Sequence, residues 1–169
     1  MNIRASLLAG DANNAGLQRD LSSSCFKLGE LLWETGAMPE AVDYLRQALR
    51  LRETLAKADP TDVGRQYEYS AAYDRLGILM LDQGDASGAL SNYRRSLDVL
   101  DSIPKAEQGR ENMRRSMSVE YEHIGSALLE LADLLGALEN NSRALAIRAA
   151  LFRDFPVNAD YKRTLLVSY

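Results

Sequence analysis

The sequence contains few of the residues that build cross-links and metal centres. Its 169 residues include one cysteine, Cys25, and one histidine, His123. A lone cysteine cannot form an internal disulfide, and a structural zinc site needs about four ligands, mostly Cys and His. We therefore expect no disulfide, no cofactor and no metal site in this protein.

Basic side chains are not in excess either, and long apolar runs are missing. Lys and Arg number 20 against 24 Asp and Glu, which gives a formal net charge of -4. Because nucleic acids and anionic membranes are bound largely through surplus Lys and Arg, we expect neither as a partner. No apolar run approaches the roughly 18 residues of a membrane span, and the short stretch at 5–9 is too brief for a secretion signal. These features predict a cytoplasmic protein.

The most informative feature present is an internal repeat. The dipeptide Leu28-Gly29 returns as Leu76-Gly77 and again as Ile124-Gly125, with 48 residues between successive copies. Other columns recur in the same phase: Cys25, Tyr73 and Tyr121; Gly36, Gly84 and Ala132; Ala41, Ala89 and Ala137. Self-similarity at a fixed period of this length is typical of solenoid proteins.

Apolar residues within each repeat follow helical spacing. Leu28, Leu31 and Leu32, and later Leu45, Ala48 and Leu49, are placed to form one face of a helix. Sustained strand alternation is not found, so the pattern predicts an all-α fold. We predict helices over 15–35, 38–57, 63–83, 86–102, 110–131 and 134–154, with partial helices over 2–9 and 158–169.

The repeats fill a single domain over residues 1–169. The units are a partial helix and linker at 1–16, repeats at 17–64, 65–112 and 113–160, and a partial repeat at 161–169. Half-repeats at both ends would leave apolar surface uncovered, since solenoids normally end in polar caps. We therefore expect either a fragment or an unusual cap, and we predict head-to-tail association of copies through these ends.

The repeated residues carry a weakened form of a known pattern, W-x2-L-G-x2-Y followed by A-x3-F. The first copy reads Cys25-x2-Leu28-Gly29-x2-Leu32, then Ala41-x3-Leu45. The chain thus resembles the tetratricopeptide repeat family, as a variant with 48 residues per repeat in place of about 34. The resemblance implies a right-handed α-solenoid of antiparallel helix pairs.

Glycine in the middle of a helix needs an explanation, because it costs about 1 kcal/mol relative to alanine. Gly29, Gly77 and Gly125 occupy such positions. A phosphate-binding loop would need clustered glycines between a strand and a helix, which the sequence does not offer. We interpret the three glycines as close helix contacts, with Ala41, Ala89 and Ala137 supplying the small surface opposite them.

The candidate catalytic residues have simpler explanations. His123 has no thiol or second histidine near it in sequence, Cys25 shares a column with two tyrosines, and Ser22–Ser24 form a small polar helix face. Glu30 and Glu34 lie one turn apart and could hold a cation or act on a sugar, but solvated helix charges are far commoner. We therefore expect a protein that is not an enzyme.

The resemblance also implies a function, which is to bind a protein or peptide segment in a concave groove lined by the first helix of each pair. The matching positions are Phe26, Glu30, Trp33, Glu34, Asp74, Ile78, Leu81, Asp82, Glu122, Ser126, Leu129 and Glu130. Half of them are acidic and none is basic, so we expect a ligand with basic and apolar side chains. The alternative is a regulatory or targeting region of a larger enzyme, such as a bacterial signalling kinase.

Overall fold

The computed structural model describes residues 14–161 and 163, and within them it contains helices and no strand. The helices are α1 (Ala15–Glu34), α2 (Met38–Ala58), α3 (Val63–Asp82), α4 (Ala86–Ser102), α5 (Lys105–Gln108), α6 (Glu111–Glu130) and α7 (Leu134–Asp154). Helical backbone resumes at Ala159. The all-α prediction is confirmed. The partial helix expected at 2–9 lies outside the described residues, as does most of the one at 158–169.

Neighbouring helices form pairs, and each pair contacts only the next. Helices α1 with α2, α3 with α4, and α6 with α7 make the most extensive contacts, while α2 with α3 and α4 with α6 join successive pairs. Two helices joined by so short a connection run antiparallel. This is the solenoid arrangement, in which a unit packs on its neighbours in the chain.

The helix boundaries lie within one residue of the predicted ones. The first helices of the pairs begin at Ala15, Val63 and Glu111, and the second helices at Met38, Ala86 and Leu134. Successive starts are 48 residues apart in both series. The single-turn helix α5, which precedes α6, has no counterpart in the sequence prediction.

The turn inside each pair uses one backbone motif. Gly36 and Gly84 have φ values of +83° and +80°, and Ala132, the third member of this column, has φ +60°. The amide of Ala37 donates to the carbonyl of Leu32 at 2.8 Å, and equivalent bonds of 2.8 and 2.9 Å close the other two turns. This is the Schellman ending, which glycine adopts freely but which costs an alanine about 1–2 kcal/mol.

Each mid-helix glycine lies against a side chain of the paired helix. A Cβ atom on Gly29 would lie 2.7 Å from Cγ of Leu45, and one on Gly77 would lie 2.5 Å from Cε1 of Tyr93. Gly125 faces Asn141 in the same way. The glycines therefore mark close helix contacts. The carbonyl oxygen of Ala41 lies 3.2 Å from the Cβ position of Gly29, as the sequence suggested, but the side chain nearest each glycine belongs to the residue one turn beyond the expected alanine.

The apolar core runs between successive pairs. Leu90 and Tyr93 of α4 pack with Ile124, Ala127 and Leu128 of α6. None of the helices in the described part of the chain combines the length and apolar character needed to cross a bilayer.

Candidate functional site

Polar side chains bridge the first helices of successive pairs. The bridges are Arg19 to Glu68 at 3.0 Å, Glu30 to Arg75 at 3.1 Å, Trp33 Nε1 to Asp82 Oδ2 at 2.9 Å and His123 Nδ1 to Asp74 Oδ1 at 2.7 Å. Three of the four join residues that are 49 positions apart, one more than the helix-start spacing. Among the described residues, no hydrogen bond or ion pair joins one second helix directly to the next.

The apolar residues expected in the groove differ in exposure. Phe26 is half-buried, with the guanidinium of Arg52 4.0 Å from its ring centroid. Ile78 and Leu81 are partly buried against the core between the second and third pairs. Leu129, by contrast, is 50 % exposed.

Three of the six acids in the predicted groove are already bound by basic side chains, two by arginines and one by His123. Glu30 is bound by Arg75 and Asp74 by His123, as above, and Glu122 forms an ion pair with Arg148 of α7. The groove positions named from the sequence include the acids but not Arg75, His123 and Arg148, which bind them. The surface is therefore less negative at its centre than the sequence suggested.

The other three acids form what we call the acidic row. Its members are Glu34, Asp82 and Glu130, which are exposed and occupy equivalent places at the ends of α1, α3 and α6. The residues just before them form the apolar row: Trp33, Leu81 and Leu129. None of the three helices has a basic residue in its last turn. Because the C-terminal end of a helix dipole is also negative, this edge favours cations.

A second cluster lies between α3 and α6, and sequence reasoning missed it. Asp74, Glu120 and His123 each place one potential ligand atom within 4.8 Å of the others. Asp74 comes from α3, whereas Glu120 and His123 lie one turn apart on α6. No signal in the sequence marks it, because the offset of 49 residues that joins Asp74 to His123 is set by helix packing.

Glu120 is the buried member of this cluster. Glu120 is only 4 % exposed, and its Oε2 atom has no hydrogen-bond partner. Ser96 Oγ lies 2.7 Å from Oε1 of Glu120 and 3.0 Å from the carbonyl oxygen of Ser70. A hydroxyl has one proton to donate, so both contacts are satisfied only when Glu120 is itself protonated. Burial, followed by the negative charge of Asp74, raises the pKa of Glu120 to about 9.

The cluster opens onto a surface groove of about 440 Å³. Asp74 and Glu120 line this groove together with Asn112 and Arg115, among others. The partly exposed Asp74 and the buried Glu120 thus lie beside a groove that opens to solvent along α3 and α6.

The candidate nucleophiles are structural. Ser22 is fully buried and donates to the carbonyl oxygen of Arg19 at 2.8 Å. Cys25 is 2 % exposed and packs with Leu21 and Ala48, and burial raises the pKa of its thiol. A thiol that stays protonated inside a core is a poor nucleophile.

Comparisons with known proteins support the family and the fold. Residues 24–62 match the tetratricopeptide repeat family. No curated protein matches the sequence. The crystal structure of BtubC (BKLC) from P. vanneervenii is similar to this chain, with a TM-score of 0.67, 21 % identity, and coverage of 88 % of this chain and 55 % of that one. This chain thus spans about half the length of BtubC, and the likeness shows the fold alone. The tetratricopeptide resemblance read from the sequence is confirmed over residues 24–62.

Proposed function

Starting from the tetratricopeptide repeat at residues 24–62, we propose that this chain is a non-catalytic scaffold for a protein or peptide segment carrying basic and apolar side chains. Tetratricopeptide repeats in general mediate protein–protein interaction. The observation that carries the proposal is the acidic row beside the apolar row, repeated once in each helix pair.

The bridges between first helices support a groove on this side of the solenoid. Elements on the concave side of a superhelix are closer together than those on the convex side. Direct bridges join the first helices, while none joins the second helices within the described residues. A ligand lying along the first helices would therefore meet both rows.

The two rows would contribute differently to binding. An exposed ion pair is worth only about 0.2–1 kcal/mol, so the acidic row adds little affinity. It would raise the association rate and select against acidic ligands. Affinity would come mainly from apolar side chains placed on Trp33 and Leu129, because burying apolar surface contributes about 25 cal/mol per Å².

A selection from a random peptide library tests this proposal. We expect peptides enriched on the wild-type chain to combine Arg or Lys with aromatic or aliphatic residues. The triple variant Glu34→Lys, Asp82→Lys and Glu130→Lys should lose these peptides and enrich acidic ones. For a selected peptide, the association rate should fall between 0.05 and about 0.5 M salt, where the screening length shrinks to a few ångströms.

The control reverses acids on the opposite helices. Glu40 and Asp43 are exposed residues of α2, so Glu40→Lys with Asp43→Lys reverses two acids away from the rows, against three in the triple variant. Binding of the selected peptides should survive in this control. Selection of acidic peptides by the wild-type chain, or equal loss in both variants, would contradict the groove assignment.

We also propose that copies of the chain associate head to tail. The half-repeats expected to mediate this contact lie largely outside the described residues, but α7 and the turn before it expose an apolar patch. Its members are Leu131, Leu134, Leu135 and Leu138, which are 41–81 % exposed. Leu138 occupies the column of Leu90, which packs on α6. On α1 of a second copy, Leu28, Leu31 and Leu32 occupy the columns of the residues that cover Leu90.

Sedimentation velocity at increasing concentration tests this association. We expect the wild-type chain to form dimers and longer species as concentration rises, since a head-to-tail contact does not close. Leu138→Glu should remain monomeric, because it places a charge in the patch. Val157→Glu is the matched control, since Val157 is 97 % exposed and lies outside the patch. A wild-type chain that stays monomeric at millimolar concentration would overturn the idea.

A further inference from the structure

We propose that Asp74, Glu120 and His123 bind a first-row divalent transition-metal ion, with Zn²⁺ as the representative ion. The inference is independent of the peptide-binding proposal. One imidazole and two carboxylates form a donor set that suits Zn²⁺ and its neighbours in the row, with the proton of Glu120 released to solvent when the ion binds. Mg²⁺ and Ca²⁺ prefer sites built from oxygen alone, so the imidazole argues against them.

The geometry is close to that of a metal site. Zinc bonds to nitrogen and oxygen are about 2.0–2.2 Å long, so ligand atoms of a tetrahedral site lie about 3.3–3.6 Å apart. Here His123 Nδ1 and Asp74 Oδ1 are 2.7 Å apart, and all three ligand atoms lie within 4.8 Å of one another. Side-chain shifts of about 1 Å would bring the three ligand atoms within bonding distance of one ion. The ion would then replace the hydrogen bond between His123 and Asp74.

The unsatisfied oxygen of Glu120 is an independent sign of a ligand. Buried polar atoms are nearly always hydrogen-bonded, and those that are not need an explanation. Oε2 of Glu120 is such an atom, in a residue that is 4 % exposed. A cation between the carboxyl group and its two neighbours would satisfy this oxygen and compensate the charge of Asp74.

Surrounding residues would support the ligands as outer-shell groups do in metalloproteins. Ser96 holds the other carboxyl oxygen of Glu120 at 2.7 Å, which orients the group. The ring of Tyr93 lies against the imidazole of His123, with centroids 5.0 Å apart. The groove that Asp74 and Glu120 line gives an ion a route in and leaves room for water as the fourth ligand.

The single histidine makes the test specific. In tag-free, ¹⁵N-labelled protein, ZnCl₂ should shift the imidazole nitrogen resonances of His123, and the shift should saturate at one ion per chain. At a free Zn²⁺ concentration of about 100 times the dissociation constant, the melting temperature should rise by about 5–10 °C. MgCl₂ at the same concentration should produce neither effect.

Single variants separate this site from incidental zinc binding. Glu120→Gln and Asp74→Asn keep the size of each side chain, retain the His123 probe and should abolish both effects. Glu40→Gln makes the same chemical change at an exposed acid of α2, outside both rows, and should leave both effects intact. The proposal is overturned if saturating Zn²⁺ leaves the His123 signals unmoved, or if the shift persists in both Glu120→Gln and Asp74→Asn.

Discussion

Gly77→Ala should lower the free energy of unfolding by about 1–3 kcal/mol, even though alanine is the better helix former. The added Cβ atom would lie 2.5, 2.7 and 3.0 Å from three ring atoms of Tyr93. The ring is rigid, and Tyr93 is 1 % exposed in the core between the second and third pairs. It cannot retreat, so α3 and α4 must separate, which loosens the central pair of the solenoid.

The equivalent change at Gly125 is the matched control, with the opposite expected sign. A Cβ atom there would meet only the end of the Asn141 side chain, which is exposed and flexible. Once Asn141 swings away, Gly125→Ala should be neutral or stabilising by up to about 1 kcal/mol. Urea unfolding followed by circular dichroism measures both variants. A Gly77→Ala chain as stable as the wild type would contradict the close-contact interpretation.

Glu120→Gln should stabilise the protein at pH 8 in the absence of metal, by up to about 5 kcal/mol, and much less at pH 4.5. The pKa of Glu120 is raised from an ordinary value of 4.5 to about 9 by burial and by Asp74. Between these values the unfolded chain ionises while the folded chain keeps its proton. Proton binding is then greater in the folded state, so stability is full below pH 4.5 and falls as pH rises towards 9. Glutamine cannot ionise, so the variant lacks this loss.

The glutamine side chain also keeps the local hydrogen bonds, since its amide group can donate to Ser96 Oγ. Urea midpoints at several pH values between 4.5 and 8.5 give the measurement. Glu130→Gln, on the exposed end of the same helix, makes the same chemical change at an exposed acid and serves as the control. Destabilisation by Glu120→Gln at every pH would show that the folded protein relies on an ionised carboxylate, contrary to the Ser96 geometry.

Helix positions could be predicted because their causes are local. An apolar face at spacings of three and four residues, interrupted by Gly36 and Gly84, places α1 to α4 within one residue. The mid-helix glycines of the same repeat also indicated close helix contacts. Glycine destabilises a helix, so its repeated presence there needs a steric reason. Each of these inferences depends on residues within one helix pair or on the repeat itself.

The residue opposite each glycine could not be predicted in the same way. Small residues suggested Ala41, Ala89 and Ala137, and the carbonyl oxygen of Ala41 does lie near Gly29, but the nearest side chains are those of Leu45, Tyr93 and Asn141. The positive φ of Ala132 could not be predicted either, because alanine, unlike glycine, is not typical of the left-handed region. Both depend on how a whole helix is seated on its partner.

The polar chemistry of the surface was decided by tertiary structure. The sequence repeat showed that many groove positions are acidic. Only the lateral register of α1, α3 and α6 determines that Arg75 neutralises Glu30. The same register brings Asp74 to Glu120 and His123, which lie 46 and 49 residues further along the chain. Local periodicity specifies where helices begin and end, whereas the offset between helices depends on the sum of their packing contacts, which no short segment encodes.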